Sequence, residues 1–111
     1  MSENSIGVLT LTAIAAAPVA QYQAIGFDGA PAGADQRVKG FAETAAETGR
    51  AFAVRTLGTG IARAGAAVAI GDPLTTDGAG ALVPVTGSEV IVADALEAAE
   101  AGEPFEVLLA R

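Results

Sequence analysis

A short phrase that occurs twice constrains this chain more than any other feature. Ala45-Ala46-Glu47-Thr48-Gly49-Arg50-Ala51-Phe52-Ala53-Val54 returns as Ala98-Ala99-Glu100-Ala101-Gly102-Glu103-Pro104-Phe105-Glu106-Val107. The shared pattern is Ala-Ala-Glu-x-Gly-x-x-Phe-x-Val. In each copy small and acidic residues end at a glycine, the residue that enters a left-handed turn position at least cost. Apolar residues then alternate with polar or small ones, which is the period of a half-buried strand. The pattern predicts a tight turn feeding a strand at two similar corners of one β-rich body. Phe52, Val54, Phe105 and Val107 should point inward there. Two copies are too few for a solenoid, which needs at least about three stacked repeats to bury its faces.

The chain has 111 residues, which suits one domain rather than two. Its apolar residues are mostly Ala and Val, with four Phe, one Tyr and no Trp, so its core is short of large side chains. A core of that kind gains stability from association. The net charge is −7, and Arg37, Lys39, Arg50, Arg55, Arg63 and Arg111 are spread singly. That is the wrong electrostatic footprint for a partner such as nucleic acid or an anionic membrane. Without Cys there are no disulfides or thiolate metal sites, and without His the usual zinc and copper ligands are missing as well. The apolar segment Leu9 to Ala20 follows Glu3 with no Lys or Arg before it, so a secretory signal is not expected. It is also too short to span a bilayer.

Read in order, Ile6 to Thr12 is β-branched and partly alternating, a strand signal. Ala13 to Pro18 is an extended or short helical connection, because Ala favours helix and Pro18 stops one. Val19 to Phe27 reads as a second strand, Asp28-Gly29 as a turn, and Ala30 to Gln36 as a surface loop. Val38 to Glu43 and Arg50 to Leu57 are further strands. Gly58-Thr59-Gly60 reads as a turn into Ile61-Ala62-Arg63-Ala64. Gly71-Asp72-Pro73 turns into Leu74-Thr75-Thr76, and Asp77-Gly78-Ala79-Gly80 is a hairpin signal before Ala81 to Val85, where Pro84 points to an edge or a bulge. Glu89 to Ala93 suits a strand, Asp94 to Ala101 one to three helical turns, and Phe105 to Leu109 the last strand. Turn signals recurring roughly every 8–12 residues argue for an all-β barrel or sandwich with little helix.

No motif for chemistry survives inspection. Gly58-Thr59-Gly60-Ile61-Ala62-Arg63-Ala64-Gly65 places its third glycine at the wrong offset for a dinucleotide loop, and no adequate helix follows. Glu43 with Glu47, or Glu97 with Glu100, could supply paired carboxylates, but each pair sits in a polar segment beside a turn, where solvated surface explains it. Asp72 and Asp77 have no calcium-loop spacing. The serines Ser2, Ser5 and Ser88 lack a histidine base, and Lys39 is the remaining alternative. The expectation is therefore no enzyme, no cofactor and no metal: an acidic β domain that binds another protein.

From Val38 onward the chain resembles the capsid decoration, or cement, proteins of tailed phages. The likeness is carried by Gly40-Phe41-Ala42-Glu43-Thr44, by Gly49 to Val54, by Gly58 to Val68 and by Gly71-Asp72-Pro73-Leu74-Thr75-Thr76-Asp77-Gly78-Ala79-Gly80. It closes with Ala93 to Ala99 and Phe105 to Leu109. The resemblance implies a small β-tulip or β-barrel-like single domain (residues 13–111) with an extended N-terminal arm (residues 1–12). It implies a homotrimer on the outer capsid surface at threefold or quasi-threefold positions. The major capsid protein would be its partner, and it would meet the shell in the host cytoplasm during assembly and stabilise the head against packaged DNA. In similar proteins the arm adds to shell or neighbour strands, which here assigns Ser2, Ser5, Ile6, Val8, Leu9, Thr10, Leu11 and Thr12 to that contact. By its own character the run suits strand addition, although it would equally serve as the first strand of the body. Core positions are Phe41, Phe52, Val54, Phe105 and Val107. The competing expectations are a small ligand-binding or accessory β-barrel domain, with Tyr22, Gln23 and Arg55 as its polar candidates, and a cellular shell or scaffold component.

Overall fold

The computed structural model describes residues 7–109. Eight strands follow one another: β1 (Gly7–Ile14), β2 (Ala24–Ile25), β3 (Gly40–Ala42), β4 (Ala51–Arg63), β5 (Pro73–Thr76), β6 (Leu82–Pro84), β7 (Ala93–Ala95) and β8 (Pro104–Leu109). Every strand pairing is antiparallel. The 13-residue β4 is the spine. Its first part pairs with β1 on one side, from Ile14 opposite Ala51 to Gly7 opposite Gly58, and with β3 through Val54 and Arg55. Its last part pairs with β8, Ala62 opposite Phe105.

The sequence repeat is the visible part of a complete structural duplication. The β1–β4 pairing is repeated by β4–β8, β3–β4 by β7–β8, and β2–β3 by β5–β7. Each half also curls back on itself. In the second, Ala64 bridges Leu82, Gly65 N–H donates to Leu82 O at 2.7 Å, and β6 thereby returns to the end of β4. In the first, Ile25 bridges Pro31 and Ala16 N–H donates to Gly29 O at 3.2 Å. The result is a nearly closed, barrel-like all-β sheet. Ala13, Ala15, Val19, Ile25, Ala42, Phe52 and Val54 form the core of the first half. Their counterparts Ala62, Ala64, Val68, Leu74, Ala95, Phe105 and Val107 all lie in the larger core of the second, together with Phe41 and Leu82. Burying a side chain such as Phe105 or Leu74 contributes about 1.5–3 kcal/mol.

The turn glycines do what the repeat implies. Gly49 and Gly102 both adopt φ 87°. Arg50 N–H donates to Glu47 O (3.0 Å) in one corner and Glu103 N–H to Glu100 O (3.1 Å) in the other.

Four local expectations are corrected. Gly58-Thr59-Gly60 is no turn: β4 runs through it. Gly58, at φ 94°, stands where the β1 register shifts, so its left-handed conformation forms a bulge rather than a reversal. The Gly60 Cα faces the Arg55 side chain closely, where an added Cβ would come within 3.3 Å of Cγ. Asp94 to Ala101 forms no helical turn, because Ala93–Ala95 is taken up by β7 and Ala99 bridges Val68. Sheet pairing and burial of Ala95 and Ala99 override the helical propensity of alanine. Val19 to Phe27 shortens to a two-residue strand, Ala24–Ile25, after a left-handed Tyr22. In place of a strand over Glu89 to Ala93, the chain enters β7 only at Ala93.

The two cores predict unequal responses to equivalent truncations. Phe105→Ala should lower the unfolding free energy by about 3–5 kcal/mol, and Phe52→Ala, in the smaller cluster, by less. Urea titration of both variants checks this, and a loss below about 1 kcal/mol for Phe105→Ala would contradict the assigned core.

Candidate functional site

Of the residues assigned to the arm, Ser2, Ser5 and Ile6 lie outside the described residues. Val8 to Thr12 belong to β1, which continues unbroken through Thr12 to Ile14. Ala15 N–H donates to Arg50 O at 2.9 Å, and the register carries this alternation back along the strand. Thr12 and Ile14 therefore turn their backbone N–H and C=O away from β4, toward the strand's outer edge. Among the described residues no strand pairs with that edge. Lys39 Nζ donates to Thr12 O at 3.3 Å, placing a charge on the edge, a common guard against uncontrolled strand addition.

Apolar side chains surround this edge. Leu9 and Leu11 remain 40% and 38% exposed on one face of β1, while Ile14, on the other, is 59% exposed. Phe27, 62% exposed, lies on the loop whose Gly29 packs against the Ile14 carbonyl. The Arg37 guanidinium stands 5.8 Å from the Phe27 ring centre, within cation–π range.

Between the halves lies a cleft of about 250 Å³ lined by Gln21, Tyr22, Phe41, Glu43, Arg55 and Ile61, among others. Glu43 and Arg55 form an ion pair across it, Arg55 Nη1 donates to Thr59 O at 3.0 Å, and Gln21 Nε2 donates to Glu43 O at 3.1 Å. These polar groups hold one another rather than converging on open space. The loop Ala30 to Gln36, read from the sequence as plain surface, ties the two halves together. Gln36 N–H donates to Thr76 Oγ1 at 3.1 Å and Asp35 Oδ1 accepts from Val90 N–H at 2.6 Å. Gln23 Nε2 reaches Ala79 O at 2.9 Å from the same side.

Charge divides between the halves. From Gly7 to Gly58 the acids Asp28, Asp35, Glu43 and Glu47 are matched by Arg37, Lys39, Arg50 and Arg55. From Thr59 to Leu109 the acids Asp72, Asp77, Glu89, Asp94, Glu97, Glu100, Glu103 and Glu106 face Arg63 alone. Equivalent positions carry different chemistry: Arg50 corresponds to Glu103, Gln23 to Asp72, and Ile14 to Arg63. The exposed Glu89 closes its own loop. Its main-chain N–H, the Thr86 hydroxyl and the Gly87 amide hold its carboxyl below the usual range. This loop closure is fully present above the ordinary carboxylate pKa and is lost as pH falls through the lowered one.

The sequence is matched over residues 3–110 by the model of the phage cement protein family. No curated protein sequence matches it. Among solved structures, the fold is similar to the head fiber gp8.5 N base of bacteriophage phi29. The TM-score is 0.79 at 22% identity, over 92% of this chain and 93% of that one.

Tyr22 offers a test of the duplicated frame. It holds φ 71° where the second half has Gly71 at φ 86°, and its ring faces Arg63 at 5.7 Å. Tyr22→Gly should therefore be more stable than Tyr22→Ala by roughly 1 kcal/mol, since both lose the ring but alanine keeps the left-handed strain. Paired thermal melts measure the difference, and equal melting temperatures would refute the strain.

Proposed function

The chain belongs to the phage cement protein family, and from that premise we propose that it decorates the outer surface of the expanded phage capsid. It does so as a homotrimer at threefold or quasi-threefold positions, holding the shell against the pressure of packaged DNA. The family match across residues 3–110 carries this reading. The major capsid protein is the partner, and the finished site is the exterior of the virion.

The action is noncovalent and additive. Each trimer spans several capsid subunits, and modest contacts repeated around a closed shell raise the barrier to local rupture. The arm from Ser2 through Ser5 and Ile6, continuing as Val8, Leu9, Thr10, Leu11 and Thr12, contributes main-chain hydrogen bonds by strand addition along the outer edge of β1. Leu9 and Leu11 supply apolar contact beside it. An acidic second half suits an exterior position, away from the genome.

Co-sedimentation with expanded capsids lacking the protein tests the proposal. Saturable binding at a whole-number ratio to capsid sites is expected, and no binding at micromolar protein would end the reading. A chain that starts at Gly7 keeps β1 and should keep its fold by circular dichroism, yet bind about tenfold more weakly or worse. Undiminished binding of that chain would remove residues 1–6 from the mechanism and leave any contact to the β1 edge.

A further inference from the structure

We infer that copies of this chain associate head to tail, the β1 corner of one first half docking on the acidic corner of the next copy's second half. The inference rests on the trimeric decoration reading and names the surfaces that would build the trimer. A closed ring of three is held by contacts between two different surfaces, because each copy must meet its neighbours with unlike faces. The duplication supplies two such faces from one corner of the fold.

At the first corner, Ile14 and Phe27 are exposed, Arg37 stands over Phe27, and Arg50 follows the turn beside Ala51, opposite Ile14. Lys39 lies on the edge of the same strand. The carboxylates of this half are largely engaged: Glu43 with Arg55, Asp28 with Ala30 N–H at 3.0 Å, and Asp35 with Val90 N–H. Glu47 is the exposed acid of that turn. Arg37, Lys39 and Arg50 outnumber Asp28 and Glu47 there, so the corner presents apolar surface with a small excess of positive charge.

The equivalent corner of the second half carries a net negative charge. Asp72, Glu100 and Glu103 line an open cleft of about 450 Å³ with Ala67, Val68 and Ala99. Among the described residues the one base at this corner is Arg63, whose Nη1 donates to Gly102 O at 3.3 Å. Asp72 and Glu103 accept from Ala69 and Glu100 N–H and keep their charge. Beside it Ile70 stands 72% exposed on the turn that precedes Asp72. The backbone is the same at both corners: Gly49 N–H donates to Ala15 O as Gly102 N–H donates to Ala64 O, at 2.8 and 2.7 Å. The fold therefore does not dictate the opposite charges. In the ring, Arg50 of each copy meets the carboxylates around Glu100 of the next, and the apolar groups at both corners leave water together.

The test uses the full chain alone, without capsids, so its outcome is independent of whether the chain decorates a shell. Sedimentation velocity should show a trimer that weakens as salt is raised. Arg50→Glu and Glu100→Lys should each weaken association by about tenfold or more, because each sets like charges together, and the two combined should restore it. Phe27→Ser should weaken association at any salt. Circular dichroism confirms that the single variants are folded, and the restored double variant does so again through function. A wild-type chain that remains monomeric at about 100 µM would overturn the inference, since a contact that builds the ring should form by then. So would single variants that associate normally, or a double variant no better than either.

Discussion

Everything in this fold depends on β4 remaining one strand while it serves both halves of the barrel-like sheet. The side-chain period of a strand is two residues, so a single slip would turn every inward residue outward. Across the bulge at Gly58 the parity is kept: Phe52, Val54 and Thr56 are buried before it, Gly60 and Ala62 after it. A residue with a Cβ would resist φ 94° at that point, and glycine lets the backbone change partner without breaking. Gly40 shows the same economy of space on the neighbouring strand, since an added Cβ there would sit 2.1 Å from Arg55 O. β3 can lie on β4 only because that position is bare.

The alanine-rich composition follows from this geometry. Each half packs around a phenylalanine from the spine or its counterpart, Phe52 in the first and Phe105 in the second, where Phe41 joins it. The facing positions are small in both, Ala13, Ala15 and Ala42 against Ala62, Ala64 and Ala95. A large ring surrounded by methyl groups fills such a space where several large side chains would overpack it. Alanine suits the close approach of the strands, and the larger core adds Phe41, Leu82 and Leu109.

The sequence made legible those features whose chemistry is local. Gly49 and Gly102 announced their turns, the Asp77 to Gly80 hairpin joins β5 and β6, and alternation around Phe52 and Phe105 marked two strands. The wider duplication was hidden because its other counterparts share little beyond size: Ile25 matches Leu74, and left-handed Tyr22 matches Gly71. Glycine pairs also carry two meanings, and nothing local distinguishes the bulge at Gly58 from a reversal. Only the pairing of β4 with β8 decides it. The candidate surface was half legible. Leu9 and Leu11 were visible as a β-prone run, whereas Ile14, Phe27, Arg37 and Arg50 come from four separate segments and meet only where the first half curls back on itself.

Duplication also explains how a small domain with little chemistry of its own can carry directional contacts. The turns at Gly49 and Gly102 are held by backbone hydrogen bonds and a glycine, so the residues beside them are free to differ without cost to the fold. Arg50 and Glu103 occupy one structural position with opposite charge, and the neutral first half faces an acidic second half across the same spine. A body with identical halves would offer its neighbours a single kind of surface. Two halves with one backbone and opposed surfaces give each copy a distinct front and back, which is the physical requirement for assembling in a fixed order around a closed ring.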